Sequence, residues 1–192
     1  MSNIVLKGST SGDVTITVPA EAGTNTLTLP AGTGNIITST TAGTIIQVVN
    51  VQTGALVTGT TVMPMDDTIP QNGEGVQVMT LAITPTHASN KLLITVNSFL
   101  AHSFNGEIAM TAALFQDSTA GALAATSTTG AINQAMNISL THFMAAGTTN
   151  ATTFKVRAGD SHSGTLSFNG QSGARRHGGV GASSITITEI AV

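Results

Sequence analysis

Acidic residues that could bind a cation are concentrated in one stretch of the chain, PMDDTIPQNGEGVQ at 64–77. Asp66 and Asp67 are adjacent there, and Glu74 follows. Ca²⁺ binds carboxylate and carbonyl oxygens, so the stretch contains suitable ligand types. Adjacent side chains on an extended chain point in opposite directions, however, and the spacing is not that of an EF-hand. We therefore expect a solvated or capping loop in preference to a metal site, and we expect no cofactor.

Histidine occurs five times in the sequence, without the spacing of a ligand motif such as HExxH. His142 differs from the other four because alternation places it, with Met144, on the apolar face of one strand. It is either a hydrogen-bonded group of the core or a group that repeats around a symmetry axis and binds an anion or a metal there. The sequence favours the core interpretation.

Two further stretches contain residues that could act on a substrate or bind one. GDSHSG at 159–164 contains Asp, Ser and His, but it is not a GxSxG motif and no helix follows it. We expect a surface turn there, and no enzymatic activity. Arg175, Arg176 and His177 form a basic cluster in a Gly-rich loop, and arginine can bind a carboxylate through two hydrogen bonds. An acidic partner or a glycan carboxylate could bind this cluster; a solvated loop tip is the alternative.

The composition narrows the possible partners. Charged residues make up 8% of the 192 residues, against about 25% in an average soluble domain, so much of the surface is expected to be covered by copies of the chain or by a larger assembly. A net charge of −3, no Trp or Tyr and no Cys argue against nucleic acid as a partner and exclude thiolate chemistry. No apolar run is long enough to span a membrane, and no signal peptide is visible.

Strand signals extend over the whole chain, whereas helical periodicity is hard to find. Residues 1–40 contain short, thinly hydrophobic strands that cannot form a core alone. We predict an extended N-terminal β appendage there that pairs with another copy or another protein; a flexible polar arm is the alternative. Residues 44–192 contain eight or more strands joined by Gly and Asn turns, which predicts a jelly-roll-like antiparallel sandwich. The predicted fold class is all-β.

The stretch at residues 81–116 is the expected centre of this sandwich, around which the other strands are arranged. Two alternating runs flank Asn105 and Gly106, a step that favours a tight turn, and they predict an antiparallel hairpin. The last ten residues, SSITITEIAV, alternate as well. They predict a final strand that ties the C-terminus into a sheet.

Several stretches resemble segments of tailed-bacteriophage virion surface proteins of the tail-fibre or head-decoration type. The first of them lies in the appendage, and the others resemble a recurring module whose strand pattern is similar to trimeric C1q-like jelly rolls. The stretches are GSTSGDVTITVPAEAGTNTLTLPAGTGNII at 8–37, DDTIPQNGEGVQVMTLAITPTHASNKLLITV at 66–96, ALFQDSTAGALAA at 113–125, TFKVRAG at 153–159 and SSITITEI at 183–190.

The resemblance implies a structural protein on the surface of a phage particle, made in the host cytoplasm. The expected form is a homotrimeric capsid decoration or cement protein, or a short head fibre, bound to the major capsid protein through its N-terminal segment. The alternative is a tail-fibre or receptor-binding tip that contacts a host glycan or receptor through loops such as 64–77 or 170–182. A lectin-like glycan-binding module is more remote. The resemblance brings no catalytic residues, and the candidates for the trimer axis are His142, Met144, Ile185 and Ile187.

Overall fold

A computed structural model describes residues 3–7, 10–17 and 41–192, and the chain divides into two units, Met1–Ile36 and Ile37–Val192. Among the described residues there are fourteen strands and one short 3-10 turn at His177–Gly179, and no helix has the length and hydrophobicity required to cross a bilayer. The strands are β1 (Asn3–Lys7), β2 (Asp13–Thr17), β3 (Ile45–Thr53), β4 (Val57–Gly59), β5 (Val76–Ile83), β6 (Lys91–His102), β7 (Ile108–Gln116), β8 (Ala124–Gly130), β9 (Met136–Ala145), β10 (Thr152–Asp160), β11 (Leu166–Phe168), β12 (Gly170–Gln171), β13 (Ala174–Arg175) and β14 (Ser183–Ile190).

The first unit contains an antiparallel hairpin of β1 and β2. Lys7 Nζ donates to Asp13 Oδ2 at 2.9 Å where the two strands meet the turn, an exposed ion pair of small energetic value. Val5 and Leu6 are about half exposed. The other strands predicted for the appendage lie outside the described residues.

The second unit is an antiparallel sandwich with the strand order of a jelly roll. One sheet contains β3, β14, β6 and β9 side by side, and β11 and β4 extend it. The other sheet has the order β5-β10-β7-β8. Counted along the chain, the eight principal strands therefore follow the orders 1-8-3-6 and 2-7-4-5, which describe two Greek keys closed on one another. The predicted all-β, jelly-roll-like sandwich is confirmed.

The two runs of residues 81–116 form strands, but the hairpin predicted for them is wrong. β6 pairs with β14 and β9, whereas β7 pairs with β10 and β8 in the opposite sheet. The segment around Gly106 therefore crosses from one sheet to the other. Alternation shows which residues of a strand face inward. The same alternating pattern occurs whether two strands pair within one sheet or lie in opposite sheets, so it does not predict the pairing.

The core lies between the two sheets and is aliphatic with a few phenylalanines. β14 alternates strictly between buried and half-buried residues and is hydrogen-bonded on both edges, to β3 and to β6. The predicted incorporation of the C-terminal strand into a sheet is therefore confirmed. The largest fully buried side chains are Phe115, Phe154, Phe168, Met63, Leu92, Ile94, Leu100, Met110, Leu114, Leu166, Ile185 and Ile187.

Candidate functional site

The acidic loop at 64–77 is held by its own hydrogen bonds. Asp66 Oδ1 accepts from the backbone N–H of Thr68 at 2.9 Å and from the Thr68 hydroxyl. These bonds lower the pKa of Asp66 below its ordinary value. Glu74 Oε2 accepts from the backbone N–H of Gln71 at 3.0 Å. Asp66 and Glu74 therefore cap turns, and among residues 3–7, 10–17 and 41–192 no three acidic or histidine side chains converge as a metal site would require.

The basic cluster is carried by a tight hairpin. β12 and β13 are joined through Ser172 and Gly173, whose φ angles are +52° and +69°, as in a two-residue turn with left-handed central residues. Arg176 follows this hairpin, and its Nε donates to Gln171 Oε1 at 3.2 Å. The Gln171 side-chain amide donates in turn to the backbone carbonyl of Asn133. The Arg176 guanidinium is thus held in place through a second side chain.

The structure separates the three residues of the basic cluster. Arg176 and His177 line a cavity of about 240 Å³, and Arg175 does not. The Arg175 guanidinium lies against Gly179 instead, where an added Cβ would come within 3.0 Å of Arg175 Nη1. We name this space the basic cavity; its lining consists of Phe99, Asn137, Asn169, Arg176, His177, Gly181 and Ala182.

The floor of the basic cavity is fixed by a buried hydrogen-bond network. Asn169 Nδ2 donates to the carbonyls of Thr53 and Ala55 at 2.7 and 3.1 Å. Asn169 Oδ1 accepts from the Ser183 hydroxyl at 2.6 Å, and Ser183 Oγ accepts from the backbone N–H of Phe99 at 2.9 Å. Each of these polar atoms has a partner, so the floor holds one arrangement before any ligand arrives.

A second feature lies on the outer face of the sheet that contains β6. Strand register places Phe143, Leu93, Thr188 and Val48 side by side across four strands. The next row contains Ala145, Lys91, Ile190 and Ile45. Phe143, Val48 and Ile45 are 57%, 55% and 62% exposed. We name as the apolar end the five large hydrophobic residues of these rows: Ile45, Val48, Leu93, Phe143 and Ile190.

The residues proposed for a symmetry axis lie on the opposite, inner face of this sheet. Ile185 and Ile187 are completely buried in the core, so for these two the axis assignment is wrong. His142 and Met144 are half-buried and share the inner face of β9 with the buried Ile138 and Leu140. Because side chains alternate along a strand, the outward residue between them is Phe143. The exposed residue of this strand, Phe143, is therefore the immediate neighbour of the two residues that the sequence singled out.

Glu189 is a buried carboxylate that the sequence did not single out. It is 0% exposed and accepts hydrogen bonds from Gln47 Nε2 at 2.6 Å, Asn90 Nδ2 at 2.7 Å, and the Thr86 N–H and hydroxyl at 2.8 Å each. Burial acts to raise the pKa of Glu189, but the hydrogen bonds from Gln47, Asn90 and Thr86 outweigh it and lower the pKa. The carboxylate joins β14 to β3 and to the loop before β6.

Asp160 is a second buried carboxylate, and it lacks the hydrogen bonds that Glu189 receives. It is 3% exposed, and neither carboxylate oxygen has a hydrogen-bond partner among the described residues. Burial raises its pKa from 3.8 to about 6, and the charge of nearby His102 opposes the rise. His102 is buried too; its Nε2 lies 2.9 Å from the Gly130 carbonyl, which can only accept, and its Nδ1 has no partner among the described residues.

The GDSHSG stretch does not form a catalytic arrangement. Ser161 Oγ lies 3.1 Å from Nδ1 of the adjacent His162 and accepts from the backbone N–H of Ala109 at 3.2 Å. The buried Asp160 carboxylate bonds to neither of them. The Ser161 hydroxyl thus helps to hold the end of β10 against β7.

The residues that complete the basic cavity were not visible in the sequence. Phe99 and Asn137 are directly opposite one another on β6 and β9, and Asn169 follows β11. These three residues are far apart in the sequence, and no motif or spacing links them. The Arg176–His177 pair was the sole sequence signal for this site.

Comparison with protein-family models finds no match, and no curated protein matches the chain. Solved structures similar to it include the VP2 subviral particle of infectious bursal disease virus, with 13% identity and a TM-score of 0.32 over 77% of this chain and 39% of that one. The structure of the Gx strain of the same virus has 13% identity and a TM-score of 0.35 over 85% of this chain and 43% of that one. The enzymatically active domain of tailspike protein 4 from bacteriophage CBA120 has 15% identity and a TM-score of 0.28 over 66% of this chain and 19% of that one. The chain spans less than half of each of these structures, and we base the function proposed below on its own residues.

Proposed function

We propose that the chain is a non-enzymatic structural protein of a bacteriophage particle surface, a homotrimer that serves as a capsid decoration protein or a short head fibre. The phage particle is proposed from the resemblance of the stretches at 8–37 and 66–96 to virion proteins. The observation that carries the proposal is the apolar end, which leaves large hydrophobic side chains exposed on a sheet face.

Self-association accounts for this face better than exposure to water does. Contiguous apolar patches on soluble proteins mark interaction surfaces, and three members of the apolar end are more than half exposed. Lys91 is the one charged residue in its two rows. A second copy is the partner that we propose, because it offers an equally flat and charge-poor face. Closed symmetry is the usual form of such self-association, and a trimer is the form of the C1q-like jelly rolls to which the strand pattern is similar.

The hairpin of β1 and β2 supports attachment to another virion protein. A two-stranded hairpin is at best marginally stable alone, and Val5 and Leu6 are exposed on this one. Among the described residues no further strand pairs with β1 or β2. We propose that its edges add to a strand of the major capsid protein, since backbone pairing at a sheet edge supplies affinity without charged contacts.

The second candidate function is a tail-fibre or receptor-binding tip, and the basic cavity is the observation that favours it. A decoration protein requires a self-association surface and a capsid contact, whereas a tip requires a site for a host molecule. Both functions place the chain on the virion, so the two are separated by its location there and not by the fold.

Changing Phe143 to aspartate is expected to convert the trimer to monomers. The substitution places a charge on β9, at one edge of the apolar end, where it would be buried between copies without a partner. Light scattering of the purified chain at micromolar concentration measures the change. Ile69→Asp is the matched control, because Ile69 is 63% exposed but lies in the 64–77 loop. A monomeric mass for the unmodified chain would contradict the proposal.

The number of copies per particle distinguishes the two locations. Quantitative mass spectrometry of purified virions, normalised to the major capsid protein, measures it. A number comparable with that of the capsid protein supports a decoration on the head lattice. A number of a few per particle supports the tail tip, and absence from the particle contradicts both.

A further inference from the structure

We propose that the basic cavity binds a carboxylated sugar, such as a uronic acid unit of a surface polysaccharide. The proposal goes beyond the structural function and does not depend on it, because the cavity is formed within one copy of the chain. Its ligand class follows from three properties of the lining: positive charge, an aromatic side chain and a free amide.

The charge of the lining selects an anion. Arg176 and His177 both line the cavity, and no aspartate or glutamate of the described residues does. Gln171 accepts from Arg176 Nε, which leaves Nη1 and Nη2 without a protein acceptor among the described residues. Two parallel N–H groups of a guanidinium match the two oxygens of a carboxylate. The chain has six Lys and Arg residues in total, and one of them, Arg176, lines the cavity beside His177, whose imidazole N–H can donate to an anion.

The remaining lining fits a sugar ring better than a bare anion. Phe99 contributes an aromatic ring, and Asn137 contributes an amide that no described residue hydrogen-bonds. Small-molecule sites generally combine an apolar surface with a few polar groups that fix orientation. The volume of about 240 Å³ is below the roughly 300 Å³ at which sites for drug-sized ligands begin. The cavity therefore suits one sugar unit.

The frame of the cavity is arranged before binding. Asn169, Ser183 and the Phe99 backbone form one continuous hydrogen-bond chain, and Gln171 links Arg176 to the Asn133 carbonyl. A site that is already ordered loses less conformational entropy when the ligand binds. This matters for a single sugar unit, which offers few contacts with which to offset such a loss.

The cavity and the apolar end occupy opposite ends of the same sheet face. Both Leu93 and Phe99 lie on β6, six residues apart, which corresponds to about 20 Å along a strand. Polar rows separate them, including Thr95 with Thr141 and Asn97 with Ser139. A second copy bound to the apolar end therefore leaves the cavity open to a ligand.

The test is to titrate the full chain separately with glucuronate, glucose and inorganic phosphate and to measure each affinity from the changes in NMR chemical shifts. We expect glucuronate to bind at least about tenfold more tightly than glucose, as for one lost charge-assisted hydrogen bond, and more tightly than phosphate. Arg176→Gln is expected to weaken glucuronate binding by about tenfold or more. Arg175→Gln is the matched control, since Arg175 lies outside the cavity, and it should leave the affinity unchanged.

Three outcomes would overturn the proposal. They are no binding of glucuronate, equal binding of phosphate and glucuronate, and equal losses from Arg175→Gln and Arg176→Gln. Asn137→Asp is a second variant, on a strand surface, that places a negative charge in the cavity and should abolish glucuronate binding. Light scattering of each variant reports trimer formation separately, so a failure of sugar binding is distinguishable from a failure of self-association.

Discussion

Replacing Glu189 by glutamine is expected to lower the free energy of unfolding by about 3 kcal/mol at neutral pH, because a buried donor left without its acceptor costs about 1–3 kcal/mol. The carboxylate accepts from Gln47, Asn90 and both donors of Thr86. A glutamine has one acceptor oxygen in place of two, and its NH₂ group would face other donors. Urea denaturation of the unmodified chain and the variant measures the difference.

The pH dependence provides a second readout for Glu189. Its pKa is lowered in the folded chain, so its stabilising contribution is complete above the ordinary value of 4.5 and is lost as the pH falls through the folded value. The Glu189→Gln variant should therefore lose less stability on acidification than the unmodified chain does. Glu107→Gln, at an exposed position, is the control and should change stability by less than about 0.5 kcal/mol. Equal stability of the Glu189 variant and the unmodified chain would show that the network contributes nothing.

Replacing Asp160 by asparagine is expected to have the opposite effect and to stabilise the chain by up to about 3 kcal/mol above pH 7. The buried carboxylate has no hydrogen-bond partner among the described residues. Its pKa of about 6 in place of 3.8 means that ionisation is unfavourable in the folded state, at about 1.4 kcal/mol for each pH unit. Asparagine has nearly the same shape and carries no charge. Thermal or urea denaturation at pH 7.5 measures the gain.

The sign of the pH effect distinguishes this explanation from a change in packing. Between pH 3.8 and about 6 the folded chain holds a proton on Asp160 that the unfolded chain releases. The free energy of unfolding therefore decreases as the pH rises through this interval, and the decrease should be absent from Asp160→Asn. Asp67→Asn, in the exposed loop, should keep it. A contribution that does not vary between pH 4 and 7 would contradict the raised pKa.

The sequence predicted the fold class because the relevant information is local. Alternation of apolar residues and the positions of Gly and Asn report whether a segment is a strand and where it turns. β14 is an example: Ile185 and Ile187 alternate with threonines, and the strand lies in the middle of a sheet. The pairing of β6 with β7 was predicted wrongly because pairing depends on which strands meet across the whole chain, and alternation does not record it.

The candidate sites also have a part that was predictable from the sequence and a part that was not. The low charge, the basic residues Arg176 and His177, and the inward and outward faces of the strands could be predicted from the residues in order. Which outward residues become neighbours depends on the folded chain. Strand register brought Phe143 beside Leu93 and Phe99 beside Asn137, because hydrogen bonding between strands joins residues that are distant in the sequence. Glu189 and Asp160 are both buried, but the fold gives Glu189 four close donors, whereas the Asp160 carboxylate has no partner among the described residues.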